Sequence, residues 1–188
     1  IIAAVAIAVN NAPGTCGATV KLGTPLSADN CGVASVTNNS PAIFPIGTTT
    51  VTWTVTDVNG NNQTATQSVT VIDNQPPVMV CPANIDVYAT SASGAVVNYT
   101  APVGTDNCTG VTTVRTGGPA SGSVFPIGTT TITYTATDGA GLTATCSFTV
   151  TVTGLPPVIV CPADIAVTST AGQCGTNVNF ADTETTAI

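Results

Sequence analysis

Apolar and hydroxylated residues alternate along two long stretches of this chain. In the first, Val51, Trp53 and Val55 fall between Thr50, Thr52, Thr54 and Thr56. In the second, Ile132, Tyr134 and Ala136 fall between Thr131, Thr133, Thr135 and Thr137. A period of two sends successive side chains to opposite faces, so each stretch predicts a β-strand with one face in a core and the other in water. Val, Ile, Thr, Tyr and Trp also suit a pleated, half-buried surface. Asp57-Val58-Asn59-Gly60-Asn61 follows the first stretch and Asp138-Gly139-Ala140-Gly141 the second. Asp, Asn and Gly are hairpin-turn residues. Past the second turn the alternation resumes, with Cys146, Phe148, Val150 and Val152 on one face. No stretch has helical spacing, and the pattern predicts an all-β chain.

The pattern also recurs. Phe44-Pro45-Ile46-Gly47-Thr48-Thr49-Thr50 returns as Phe125-Pro126-Ile127-Gly128-Thr129-Thr130-Thr131, and Asp29-Asn30-Cys31 as Asp106-Asn107-Cys108. Pro76-Pro77-Val78 returns as Pro156-Pro157-Val158, and Val80-Cys81-Pro82-Ala83 as Val160-Cys161-Pro162-Ala163. The matches keep one order and nearly one offset, which defines a repeat of about 80 residues. Ile7-Ala8-Val9 aligns with Ile85-Asp86-Val87 and Ile165-Ala166-Val167, and Cys16-Gly17 with Cys174-Gly175. The apolar start from Ile1 to Val9 is therefore the first strand of a repeat; it is also too short to span a bilayer. Three repeats follow: residues 1–74, 75–153 and a partial 154–188 that supplies opening strands, to be completed by continuing chain or by another subunit. Each full repeat is expected to be a small antiparallel β-sandwich. The joints at Asp73-Asn74-Gln75-Pro76-Pro77 and Gly154-Leu155-Pro156-Pro157 are short and Pro-paired, which favours an extended string of modules.

Seven Cys and no His argue for disulfides, since no Cys-x-x-Cys zinc pattern occurs. Cys81 and Cys146 are replaced together in repeat one, by Ala3 and Gln67, as a bonded pair predicts. Cys16 and Cys31 are present together in repeat one, which pairs them with each other. Cys108, Cys161 and Cys174 are then unpaired, or paired outside the stretch.

Composition narrows the function. The chain is 43% hydrophobic and 6% charged, with nine acidic and two basic residues and a net charge of -7. Lys21 and Arg115 cannot neutralise a phosphate backbone, so nucleic-acid binding is not expected; nor is membrane insertion. Without His there is no histidine general base, and the carboxylates recur at turns and linkers, so no enzyme and no catalytic residue is expected. Asp57-Val58-Asn59-Gly60-Asn61 and Asp73-Asn74 faintly resemble calcium-loop and cadherin-linker sequences. Each offers too few carboxylates for the six to eight oxygens calcium takes, so turn chemistry is the expectation and no metal or cofactor is assigned. Asn38, Asn62, Asn98 and Asn107 each open an Asn-x-Ser/Thr sequon and are candidate glycosylation sites.

The runs Phe125-Pro126-Ile127-Gly128-Thr129-Thr130-Thr131, Tyr134-Thr135-Ala136-Thr137-Asp138 and Cys146-Ser147-Phe148, with Pro76-Pro77-Val78 and Cys81-Pro82-Ala83-Asn84-Ile85 ahead of them, resemble the hyalin-repeat family. That resemblance covers nearly the whole chain. It implies tandem immunoglobulin-like sandwiches, an extracellular or cell-surface location, a part in adhesion and no catalysis. The extra Cys16–Cys31 pair resembles bacterial versions of the module. The expected role is a structural repeat of an extracellular fibre or large surface adhesin, with copies of itself in a filament and covalent glycans as partners. The alternative is a soluble carbohydrate-binding module, which would use exposed aromatics such as Tyr88 and Tyr99.

Overall fold

The computed structural model describes residues 1–157, 164–169 and 171–178. Every regular element among them is a strand. The first repeat carries β1 (Ile7–Asn10), β2 (Gly17–Ala18), β3 (Val33–Asn38), β4 (Phe44–Pro45), β5 (Gly47–Asp57) and β6 (Asn62–Ile72). The second carries β7 (Val78–Met79), β8 (Ile85–Tyr88), β9 (Ala95–Val97), β10 (Gly104–Thr105), β11 (Thr112–Gly117), β12 (Ser123–Phe125), β13 (Gly128–Thr137) and β14 (Thr143–Thr153).

One four-stranded sheet runs β1-β6-β5-β3, and its counterpart runs β11-β13-β14-β8. The hairpin β5–β6 is the longest ladder of the first sheet, in register from Gly47↔Val71 to Thr56↔Asn62. Each sheet is antiparallel except at one edge. There the opening strand lies parallel to the closing one, β1 on β6 and β8 on β14. Smaller ribbons, β2-β4 in the first repeat and β12-β9 and β10-β7 in the second, complete the sandwiches.

Burial follows the alternation. Val51, Trp53, Val55, Val69 and Val71 point inward from β5 and β6, while their Thr neighbours stay at least partly exposed. Ala18 and Phe44 of the ribbon close the first core against Val51, Trp53, Val69 and Val71. In the second repeat Ile132, Tyr134, Ala136, Cys146, Phe148, Val150 and Val152 are buried from β13 and β14, with Ala95, Val97 and Phe125 from the ribbon. On the outer faces Thr hydroxyls meet across strands, Thr48 with Thr70 at 3.0 Å and Thr129 with Thr151 at 3.3 Å.

The chain divides into two compact units that do not follow the repeat boundaries. The first holds Ile1–Ala83, Thr100–Gly118 and Thr131–Phe148; the second holds Asn84–Tyr99, Pro119–Thr130 and the stretch from Thr149 onward.

Residues 164–169 and 171–178 form no strand, and Ile165 and Val167 stand exposed. The rest of this partial repeat, for which opening strands were expected, lies outside the described residues.

Candidate functional site

The hairpin turns set the two ends of a module. At the first turn the Asp57 amide donates to the Asn61 carbonyl at 3.0 Å. Asp57 Oδ1 accepts from the amides of Asn59 and Asn61, both at 2.8 Å, and its Oδ2 accepts from Asn61 Nδ2 at 2.7 Å. The Asn61 side chain, followed by the Asn61 amide, holds the exposed Asp57 carboxyl below the usual carboxylate range. Asp138 repeats the motif, with Oδ1 accepting from Ala140 at 2.9 Å and Leu142 at 2.8 Å. Leu142 stands where Asn61 does and offers no side-chain donor, which leaves the buried Asp138 Oδ2 without a hydrogen-bond partner.

The Asp-Asn-Cys segment lies at this turn end. Gly32, next to Cys31, accepts from the Val58 amide at 3.2 Å. Asp29 Oδ1 accepts from the Cys31 amide at 2.7 Å, and Asp106 Oδ1 accepts from the Cys108 amide at the same distance. The Cys-Gly segment lies at the opposite end. Gly17 pairs with Pro45, just ahead of Gly47 at the start of β5, and the Asn11 amide donates to Ile72 at the end of β6.

That polarity overturns one expected disulfide. Cys16 is bonded to Cys108, 92 residues away, and not to Cys31. β5 has 11 residues, so the two ends of the first sandwich lie on the order of 30 Å apart at ~3.4 Å per residue. A disulfide needs Cα atoms within about 7 Å; those of Cys16 and Cys108 are 4.9 Å apart. Cys108 is therefore paired within the stretch, and Cys31 and Cys174 are free and exposed. Cys161 lies outside the described residues. The structure bonds Cys81 to Cys146, with Cα atoms 5.5 Å apart.

Around the Cys16–Cys108 bridge the linker folds into a hydrogen-bonded joint, all of it within the first unit. Buried Asn11 donates from Nδ2 to Asp73 Oδ1 and to the Thr15 carbonyl, each at 3.0 Å. Its Oδ1 accepts from the Asn74 amide at 3.3 Å. Gln75 Nε2 donates to the Ala12 carbonyl at 3.0 Å, and Gln75 Oε1 accepts from the Gly14 amide at 2.7 Å. From the other side Asn107 Nδ2 donates to the Thr15 carbonyl at 2.8 Å. Asp73, Asp106 and Cys108 bring ligand-type atoms within 4.8 Å of one another. The sulfur is already in a disulfide. Asp73 Oδ1 serves Asn11 and the Gln75 amide, and Asp106 Oδ1 serves Cys108. The donor set thus acts within the joint, and two carboxylates fall short of calcium's usual shell.

Of the sequon residues, Asn38, Asn62 and Asn98 are exposed and Asn107 is half-buried. The Asn107 side-chain nitrogen is the one that donates to Thr15. Tyr99 is tied down, its hydroxyl donating to the Pro119 carbonyl at 2.7 Å and its ring edge-on to Phe125 at 6.5 Å, whereas Tyr88 is exposed.

Sequence reasoning missed a further device. Repeat one lacks the Cys81–Cys146 pair, and at the equivalent position buried Gln67 accepts from Trp53 Nε1 at 3.0 Å and donates to the Val5 carbonyl at 2.7 Å. The only signal in the sequence is an amide at an inward position diagonal to an inward Trp.

A family model for the HYR domain matches residues 4–71 and again 72–152. The chain belongs to the HYR domain family. Among its relatives, a hyalin from Strongylocentrotus purpuratus is 33% identical over 93% of this chain, and a hyalin from Lytechinus variegatus is 36% identical over 89%. The chain spans 15% and 34% of those proteins. A mouse sushi, von Willebrand factor type A, EGF and pentraxin domain-containing protein is 30% identical over 86% of the chain, which spans 5% of its length. Among solved structures, the protocadherin GammaB4 extracellular domain aligns with 78% of the chain, and the chain with 30% of it, at 18% identity and a TM-score of 0.33. That likeness is too loose to carry an argument. This HYR chain is extracellular or at the cell surface, the compartments in which disulfides persist. Among the described residues no helix is long and apolar enough to cross a membrane.

Proposed function

We propose that these HYR repeats form a structural stretch of an extracellular fibre or a large cell-surface adhesin. The modules are joined end to end, the surface carries sugar, and the role is mechanical and adhesive, not catalytic. It calls for no cofactor. The observation that carries this reading is the Cys16–Cys108 joint, where the Cys-Gly end of one repeat is locked to the Asp-Asn-Cys turn of the next by a disulfide and the Asn107 to Thr15 hydrogen bond. A module with two different, complementary ends suits a polar string, and neutral Thr-rich outer faces suit lateral packing or sugar better than charge-guided recognition. Asn38, Asn62 and Asn98 present exposed amides for glycans, while the Asn107 nitrogen is already engaged in the joint.

Electron microscopy of the protein purified from its source tests the assembly, and intact-mass and glycopeptide analysis tests the sugar. Filaments or beaded strings with hexose-bearing peptides at Asn38, Asn62 or Asn98 are expected. Dispersed globular particles that bind one sugar tightly on a glycan array would instead support a soluble carbohydrate-binding module.

A further inference from the structure

The Cys16–Cys108 bridge lies beside carboxylates. Oxygens of Asp73 and Asp106 and the sulfur of Cys108 stand within 4.8 Å of one another. Buried Asp73 accepts through Oδ1 from Asn11 Nδ2 and the Gln75 amide, and half-buried Asp106 accepts through Oδ1 from the Cys108 amide. An Asn at either position would offer the same acceptor oxygen. The hydrogen bonds of the joint therefore do not require the negative charge. Asn107 Nδ2 donates to Cys108 Sγ at 3.5 Å and carries no charge to offset the carboxylates. The chain has two basic side chains, Lys21 and Arg115, and the Arg115 guanidinium donates to the Gly118 carbonyl. Cys16 is exposed, so a thiol arriving from solution meets its sulfur ahead of that of half-buried Cys108.

We propose that Asp73 and Asp106 select the thiols that open this bridge, holding off anionic thiols of the glutathione class and admitting cationic ones. Exchange begins when a thiolate attacks Cys16 Sγ. The sulfur–sulfur bond breaks, and its electron pair leaves on Cys108 as a thiolate. A second thiolate attacks the mixed disulfide at Cys16 and releases the small-molecule disulfide and the Cys16 thiolate. Both protein thiolates take protons from water, and the two electrons gained by the protein come from the two small thiols. The charge on the attacking and leaving sulfurs is common to every thiol. What the carboxylates read is the further charge: a sulfonate or carboxylate on the attacker is repelled, and an ammonium is attracted. Across roughly 5–8 Å of watery medium each pair of unit charges changes the rate about two- to fourfold, and salt screens the effect. The joint thereby stays shut against anionic thiols without being buried.

The test uses the full chain with its disulfides formed and its open thiols blocked by iodoacetamide. The protein meets mercaptoethanesulfonate, mercaptoethanol or cysteamine (anionic, neutral and cationic) at equal thiolate concentration. Each rate is divided by that of the same thiol on a neutral small-molecule disulfide, and labelled alkylation with peptide mapping reads each protein bond separately. At low salt Cys16–Cys108 should open about tenfold faster with cysteamine than with mercaptoethanesulfonate, with mercaptoethanol between them. The preference should shrink toward unity at about 1 M salt, where the screening length is about 3 Å. Asp73→Asn combined with Asp106→Asn should lose most of it. Asp106→Asn alone should lose about half, and supplies the same readout if the double variant does not fold. Asp29→Asn, which removes one charge at the other end of the first sandwich, should keep the preference, and Cys81–Cys146 should open at one rate in every variant. A preference missing at low salt, unchanged at high salt, kept in both joint variants or lost in Asp29→Asn would overturn the inference. So would faster opening of both bonds by all three thiols in the joint variants, which marks a loosened fold.

Discussion

At the scale of single residues, the two hairpin turns show what one side chain contributes to a shared motif. Asp57 satisfies both carboxylate oxygens because Asn61 supplies a side-chain donor; Asp138, with Leu142 in that place, leaves one buried oxygen unpaired. Leu142→Asn should therefore stabilise the second hairpin by about 1 kcal/mol, the usual net value of a hydrogen bond, read as a shift in the urea midpoint. Asn61→Ala should move the Asp57 pKa up toward its ordinary 3.8, which an NMR titration of the carboxyl would follow. Because the folded pKa lies below the unfolded one, the turn's contribution is fully present above 3.8 and is lost as pH falls through the lowered value. Without Asn61 that acid dependence should shrink. Both turns were legible as turns from Asp, Asn and Gly alone. The orphaned oxygen was not, because it depends on which side chain faces the carboxylate in space.

At the scale of elements, the inward faces of β5, β13 and β14 were legible residue by residue, since Val51, Trp53 and Val55, Ile132, Tyr134 and Ala136, and Cys146, Phe148, Val150 and Val152 are buried where the alternation put them. The parallel pairing of β1 with β6 was not, because edge direction is set by how the chain returns to the sheet and leaves no mark in a period-two pattern. Gln67 was also opaque, a buried amide standing where repeat two has a half-cystine. Gln67→Ala leaves the Trp53 Nε1 proton and the Val5 carbonyl without their partner and should cost about 2–4 kcal/mol in chemical unfolding. Gly94 is needed where the β9 ribbon turns. Its φ is +118°, and an added Cβ would collide with the backbone carbonyl of Phe125. Gly94→Ala should destabilise by about 2–4 kcal/mol, by strain as well as by overlap.

At the scale of the whole molecule, the repeat was plain from the recurring Phe-Pro-Ile-Gly-Thr motif, but the linkage between repeats was not. Cysteines present together in one repeat invite pairing with each other, and that logic holds only where both lie at the same end of the sandwich. Cys81 and Cys146 meet that condition, and Cys16 and Cys31 do not. A signal for the other pairing lay in Cys108, left without a partner by the first assignment. The Cys16–Cys108 bridge closes a loop of 92 residues, worth about 4–5 kcal/mol in the chain-entropy model. The most direct test is disulfide mapping of the unreduced protein, digested at acidic pH to prevent exchange and read by mass spectrometry. A peptide joining Cys16 to Cys108 beside one joining Cys81 to Cys146 is the expected result; a peptide joining Cys16 to Cys31 would contradict the joint and the polar string built on it.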